Sequence, residues 1–388
     1  MLRINWIDIN NTNGIENLSL EFNNGINLIC GENGIGKTTI LDCIASSFNR
    51  HNKNVRTNVN SSHDGNWGIS YSKNESNIHE IFSLSDLETV DNYQYNRKFR
   101  FENRIKSKEL INFSINRTSL TNIFYGNQLD YIQSWMLENY YKDNNLSNKK
   151  FYNLKIAQEC FTRLDSRIKF SKVTERVLET NKGTRRILAD IYLETPNGEI
   201  PFNFLSSGYR SCLLILLGII RQTEVTSGFR DVHLFEGVIL IDELDLHLHP
   251  EWQAKLIEIL KWLVPRAQVI ATTHSPHIIQ TAKQNEVIAL SFLNNKNKMN
   301  SENAFMDSKY DFQGWTIEEI LKDVMGMESS YSKNFSCILK EFDKAVSDFD
   351  IEKIKILYKN IDEMLHPHNH LRKILKIQIT SLLEVYDD

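Results

Sequence analysis

No C-x-x-C pair occurs in this 388-residue chain, and its five cysteines are scattered and odd in number. That excludes a disulfide framework and a cysteine zinc site, and it predicts reduced thiols. No apolar run reaches membrane-spanning length, and the N-terminus MLRINWIDINN has no basic-then-apolar targeting pattern. The expected setting is therefore cytoplasmic, with no membrane association. A basic field is missing too: 45 Lys+Arg against 49 Asp+Glu give a formal net charge of −4 and a pI near 6.3. Any nucleic-acid contact would then fall to a local patch or to a partner. There is no internal repeat. What remains, 41% hydrophobic and 24% charged, is an ordinary globular composition, enough for one large or two medium domains. Asparagine-rich stretches at 49–60 and 294–300 read as surface loops.

Against that background one segment stands out. Gly31-Glu32-Asn33-Gly34-Ile35-Gly36-Lys37-Thr38 fills the phosphate-loop (Walker A) template G-x-x-x-x-G-K-[ST] at every fixed position. Gly25–Cys30 reads as a buried strand running into it, and Thr39–Phe48 as a helix leading away. Backbone N–H groups in such a loop form an anion-binding concavity at a helix N-terminus. Asn33, Gly34, Ile35, Gly36, Lys37, Thr38 and Thr39 are therefore the candidate ATP-binding residues, with Lys37 reaching the β- and γ-phosphates and the Thr38 hydroxyl on Mg²⁺.

Around the loop, the pattern predicts a small β meander (Leu2–Ile9, Leu18–Phe22, Ile26–Cys30). An accessory lobe at about 49–185 should follow, with strand-like pieces at Trp67–Tyr71 and Leu110–Ile115 and helices from about Leu120 to Arg176. A hairpin turning at Asn197-Gly198 leads into Leu205-Ser206-Ser207-Gly208-Tyr209-Arg210, and an apolar helix follows from Ser211 to Arg221. Gly237–Ile241 is a continuous apolar strand ending in Asp242 and Glu243, as a buried parallel strand with carboxylates at its C-terminal edge would be. Ala267–Thr272 is a second such strand, ending in Thr273-His274-Ser275-Pro276. Beyond Val287–Phe292 the composition shifts to helices: Thr316–Met325, Phe335–Lys344, Asp350–Leu365 and His370–Tyr386.

GENGIGKT, LSSGYR, VILIDE and TTHS, in that order, resemble the heads of ABC-type ATPases in the SMC, RecF and overcoming-lysogenization-defect branch. LSSGYRS with LIDELDLHLHPEWQ and ATTHSP is most similar to the PtuA ATPases of Septu and Septu-containing retron antiphage systems. The resemblance covers roughly residues 1–295 and implies an α/β fold: a P-loop ABC-type head with a mixed sheet, a β lobe and a helical lobe. Residues 296–388 would form a helical region for oligomer or partner docking.

By the same resemblance, Asp242 holds Mg²⁺, Glu243 is the general base that orients the attacking water, and His274 senses the γ-phosphate. Ser206, Ser207 and Gly208 form a signature that contacts ATP bound by a second copy, so hydrolysis needs at least a homodimer. Asp245 matches the loop that communicates across that dimer. The signature departs from LSGGQ at Ser207 and Tyr209, which implies slow turnover. Gln94, Gln128 and Asn116 are alternatives for the lid-loop residue. The interval from 39 to 204 is too short for a long coiled-coil arm.

Other clusters stay open between plain and functional readings. His247 and His249 read as structural or interface residues, and His366, His368 and His370 as a solvated turn rather than a zinc site. Arg97, Lys98, Arg100, Arg104, Lys106 and Lys108, interleaved with Phe99 and Phe101, are either a solvated face or a nucleic-acid patch. The implied function is a Mg²⁺-dependent ATPase that oligomerises and controls a separate HNH nuclease of the PtuB type, in some systems beside a retron RNA/DNA and reverse-transcriptase complex. The alternative is a RecF-like repair ATPase that binds duplex DNA directly. The last 95 or so residues lack the D-x-D at a strand end that a TOPRIM nuclease would carry.

Overall fold

The structure, a computed structural model, describes residues 2–48, 55–73, 76–84, 110–113, 129–145, 152–179, 185–228, 231–246, 248–290, 311–327 and 331–386. They fall into two compact units, Met1–Gly326 and Met327–Asp388. Strands β1 (Leu2–Thr12) and β2 (Ile15–Glu21) pair antiparallel, with buried positions interspersed among accessible ones, as a sheet with one face on a core requires. The third strand of the expected meander goes elsewhere. β3 (Ile26–Cys30) is buried at every position and pairs parallel with two later strands, because a strand apolar on both faces needs cover on both.

The place beside β1 is taken by β4 (Asn66–Lys73), with β5 (Ser76–Ser83) beyond it, in the order β2-β1-β4-β5. These pieces, read from the sequence as part of an accessory lobe, extend the N-terminal sheet. Helix α1 (Lys37–Phe48) follows the phosphate loop. The Leu110–Ile115 stretch, also expected in that lobe, appears as β6 (Leu110–Phe113) and pairs with a strand of the parallel sheet.

Helices α2 (Leu129–Asn145) and α3 (Tyr152–Leu164) come next, but the helical reading to Arg176 overruns the boundary. Lys169–Glu179 is strand β7, paired along its length with the next strand, β8 (Arg185–Thr195); cross-strand pairing outweighs the local pattern there. β9 (Gly198–Pro201) completes this three-stranded sheet through the turn at Asn197-Gly198. Helix α4 (Ser207–Ser227) then starts from Ser206 as its N-cap and ends at Gly228, left-handed at φ 75°.

Strand β10 (Val238–Ile241), helix α5 (Pro250–Leu263), strand β11 (Gln268–Thr272), helix α6 (Pro276–Gln280) and strand β12 (Val287–Ala289) complete the centre. The five-stranded sheet runs β12-β3-β11-β10-β6, every pairing parallel. Its continuous apolar strands divide residue by residue between two cores. Leu28, Ile239, Ile241, Val269 and Ala271 pack with residues of α2 to α6, whereas Ile29, Val238, Leu240, Ile270 and Ile288 pack with α1 and the antiparallel sheet. Each such valine, leucine or isoleucine contributes about 1.5–3 kcal/mol by leaving water. The side chain of the buried Gln268 joins the two sheets: it accepts from the Ile4 N–H at 2.8 Å and donates to the Ile4 and Asn23 carbonyls, both at 2.8 Å.

The first unit extends past residue 295. Helix α7 (Ile317–Glu319), opened by a Thr316/Glu319 capping box, continues as a wider turn over Ile320–Val324. Phe312, Ile320, Val324 and Met325 are buried in the same core as α6, so this unit closes at Gly326 and not at the earlier composition shift. The second unit consists, among the described residues, of α8 (Lys333–Ser347), α9 (Ile351–Met364) and α10 (His370–Tyr386) around Phe335, Phe342, Ile354, Leu357, Ile361 and Leu375. Among the described residues no helix is long and apolar enough to cross a membrane.

Candidate functional site

The ends of β3, β10 and β11 lie side by side in the parallel sheet, and the chain leaving each carries part of one constellation. Gly31, Gly34 and Gly36 of the loop after β3 have φ of 145°, 80° and 110°. At Gly36 a Cβ would lie 2.7 and 2.8 Å from the Ile15 side chain, so glycine is needed there for conformation and for space. The turn at Asn13-Gly14 also braces the loop, with the Asn13 amide donating to Thr39 Oγ1 at 3.2 Å. Lys37 is buried at 6% exposure, and its Nζ donates to the Gly31 and Glu32 carbonyls at 2.9 and 2.7 Å. Burial pushes the neighbouring Cys30 thiol up to about 12, although the Lys37 charge works the other way. Glu32, Asn33, Gly34 and Thr38 are exposed at this mouth.

Asp242 follows β10 directly, and Thr38 Oγ1 lies 3.2 Å from both of its carboxylate oxygens. Thr272, the last residue of β11, donates its hydroxyl to Asp242 Oδ1 at 2.6 Å and accepts the Glu243 N–H at 2.7 Å. Glu243 is 8% exposed and has φ of 50°, a left-handed backbone that a glutamate adopts only under constraint. The Leu244 N–H, donating to the Thr272 carbonyl at 2.9 Å, completes that constraint.

His274 is half-buried just beyond β11. One oxygen of Asp245 accepts both the Thr273 hydroxyl at 2.7 Å and the His274 N–H at 2.9 Å. Ser275 caps α6 and donates to Gln253 Oε1 at 2.5 Å, while Gln253 donates to the Leu248 carbonyl at 3.0 Å. The turn carrying His274 is thereby tied to α5.

Ser206, Ser207 and Gly208 stand at the N-terminus of α4. Both serines are exposed, and Ser206 Oγ accepts the Tyr209 N–H at 3.4 Å. Tyr209, which replaces the class glutamine, points inward: its hydroxyl donates to the Phe161 carbonyl at 2.7 Å and its ring stands edge-on to Trp252. His249 caps α5, and His366, His368 and His370 are exposed around the turn between α9 and α10. Gln94, Asn116, Gln128, His247 and the basic run from Arg97 to Lys108 lie outside the described residues.

The fold thus gathers Lys37, Thr38, Asp242, Glu243, Asp245 and His274 around one sheet edge. An amide-lined loop with a buried ammonium at a helix N-terminus fits a polyphosphate. A carboxylate beside a threonine hydroxyl is a donor pair for a hard divalent cation. Thr272 and Asn13 are participants that the sequence reading passed over. The signal for Asn13 was its Asn-Gly hairpin pair; for Thr272 it was a hydroxyl ending an otherwise apolar strand.

Residues 26–280 match the family described as "AAA domain, putative AbiEii toxin, Type IV TA system". The Septu protein PtuA of Bacillus thuringiensis is 38% identical over a 415-position alignment that covers 100% of both chains. The chain belongs to the PtuA family of AAA-domain ATPases. A second PtuA, from Bacillus mycoides (strain KBAB4), is 26% identical over 82% of this chain and 44% of its own length. The "Retron Vc95 probable ATPase" of Vibrio cholerae serotype O1 biovar El Tor is 28% identical over 40% of this chain and 30% of that protein. Among solved structures, the SMC head domain from Thermotoga maritima aligns with 72% of this chain and 92% of its own at a TM-score of 0.39 and 14% identity. That likeness adds nothing to the P-loop α/β fold of this PtuA-family chain, which rests on strand order and motif placement.

Proposed function

We propose that this protein is the ATPase component of a Septu-type antiphage system: it binds and slowly hydrolyses ATP with Mg²⁺, pairs head to tail around the nucleotide, and thereby controls a partner HNH nuclease. The observation that carries the reading is the bonded set Thr38, Asp242, Thr272 and Glu243 at one sheet edge, with Lys37 held by the carbonyls of the adjoining phosphate loop. The full-length likeness to a Septu protein supports its setting.

In this reading the amides from Asn33 to Thr39 and the Lys37 ammonium bind the phosphates of ATP. Thr38 Oγ1 and Asp242 hold Mg²⁺, which supplies charge neutralisation on the phosphate oxygens. Glu243 accepts a proton of the attacking water, a contribution of about 10²–10⁴ in rate. His274 hydrogen-bonds the terminal phosphate. Ser206 and Ser207, exposed at the N-terminus of α4, and the buried Gly208 beside them meet the nucleotide of a second copy, with the partial positive charge of that helix end favouring the anion.

The test is ATP turnover and assembly mass of the full chain, alone and with the neighbouring gene products, with and without ATP and Mg²⁺. Glu243→Gln is expected to lower kcat by about 10²–10⁴ while ATP binding persists and paired heads accumulate. Lys37→Ala is expected to abolish binding. Unchanged turnover in Glu243→Gln refutes the assigned base. A protein that stays the same size with and without ATP and Mg²⁺ refutes the pairing.

A further inference from the structure

Thr272 sits where both acidic residues of the site are held, yet no motif reading assigns it a role. It ends β11 at 1% exposure, beside β10 in the sheet. A hydroxyl has one proton to give and lone pairs to receive. Here the proton goes to Asp242 Oδ1 at 2.6 Å, which leaves a lone pair for the Glu243 N–H at 2.7 Å. The same residue's carbonyl takes the next amide, that of Leu244, at 2.9 Å. Two consecutive amides of the loop after β10 are therefore bound to one residue of the neighbouring strand, on either side of the backbone that Glu243 holds at φ 50°. Thr38 approaches both oxygens of Asp242 at 3.2 Å, and the Thr272 bond settles which way that carboxylate turns toward it.

We propose that Thr272 is the positioning residue of this ATPase: through one hydroxyl it orients the Asp242 carboxylate toward Thr38 and locks the backbone that aims Glu243. The inference rests on the reading of Asp242 and Glu243 given above. Valine at this position keeps the branched shape that a buried strand wants and removes both bonds. Serine keeps both bonds and gives up one methyl. Positioning therefore predicts loss in valine and not in serine, whereas a packing role predicts the reverse.

The experiment compares Thr272→Val, Thr272→Ser and Thr272→Cys in the full-length protein, with wild type and Glu243→Gln as controls. Without nucleotide, amide hydrogen exchange over 238–248 should quicken in Thr272→Val and stay as wild type in Thr272→Ser. In turnover, Thr272→Val should lose about a hundredfold in kcat with KM for ATP within about threefold. Its half-saturating Mg²⁺ concentration should rise about tenfold, as loss of a bond to a metal ligand produces. Binding of a fluorescent ATP analogue without Mg²⁺ should be unchanged. Thr272→Ser should recover every quantity to within about threefold. If the valine variant does not fold, Thr272→Cys, whose sulfur bonds weakly, takes its place with the same expectation relative to serine.

A valine or cysteine variant with wild-type kcat and Mg²⁺ dependence overturns the proposal, as does a serine variant that loses as much as valine. Wild type that neither binds nor hydrolyses ATP overturns the site reading itself and this inference with it. Active wild type with a dead Glu243→Gln upholds the site, so that only Thr272 is then judged.

Discussion

Tyr209→Phe removes one oxygen from the middle of the signature and so measures what the departure from the class glutamine does. The Tyr209 ring is 1% exposed, its hydroxyl donates to the Phe161 carbonyl at 2.7 Å, and Trp252 stands edge-on at 5.6 Å between ring centroids. Burial holds the phenol well above the ordinary tyrosine range, so it remains a donor at any working pH. The replacement leaves the Phe161 carbonyl with the Asp165 N–H at 3.1 Å as its donor, a loss of about 0.5–1.5 kcal/mol, while the aromatic contact, about 0.5–1.5 kcal/mol, is kept. The urea midpoint should fall by about 0.2–0.5 M, followed by tryptophan fluorescence because Trp252 abuts the site. Turnover per folded molecule should stay within about twofold, since Ser206 and Ser207 are exposed and untouched. Tyr209→Gln, which restores the class residue, should lose about 3–5 kcal/mol, because the ring volume goes as well. If Tyr209→Phe matched wild type in its midpoint, or Tyr209→Gln were as stable and more active, Tyr209 would not be the anchor of the signature against α3.

Gly36→Ala should weaken ATP binding at least tenfold by titration calorimetry, since φ of 110° and a Cβ within 2.8 Å of Ile15 oblige the loop to reshape. Ile15→Ala in the same background, by opening that space, should recover only part of the loss. Of the five thiols, Cys337 is exposed and the other four are buried, so one should react rapidly with a thiol reagent at pH 8 and all five after denaturation. Burial raises Cys30 and Cys212 from 9.0 to about 12, so between those values the folded chain keeps protons that the unfolded chain has released. Stability should therefore decline as pH rises through that window, and Cys212→Ala should flatten the decline. Thr316→Ala removes the capping box before α7 and should lower stability by about 0.5–2 kcal/mol, read as faster hydrogen exchange over 316–325.

Most of the candidate site was legible from the chain because its motifs are contiguous residues. GENGIGKT, Asp242-Glu243 and His274 each lie on, or next to, a strand that is mostly apolar and buried at every position. Partnership between strands was harder to read. Ile26–Cys30 joins Gln268–Thr272, and Leu110–Phe113 joins Val238–Ile241, each across more than a hundred residues, and no local period carries that information. Lys169–Glu179 was missed even though its partner, Arg185–Thr195, is the next strand, because its strand state comes from that pairing and not from its own pattern. Thr272 went unnoticed for a related reason: its importance is a contact to another strand's end, invisible in a row of apolar neighbours. The extension of the first unit to Gly326 was hidden because Phe312, Ile320 and Val324 are sparse apolar residues in a polar stretch, and only their packing shows where they belong.

A single oxygen of Asp245 grips both the Thr273 hydroxyl and the His274 amide. The bend after β10 and the tip of the adjacent strand therefore share one carboxylate, so a displacement of that bend is felt at the peptide on which the imidazole is mounted.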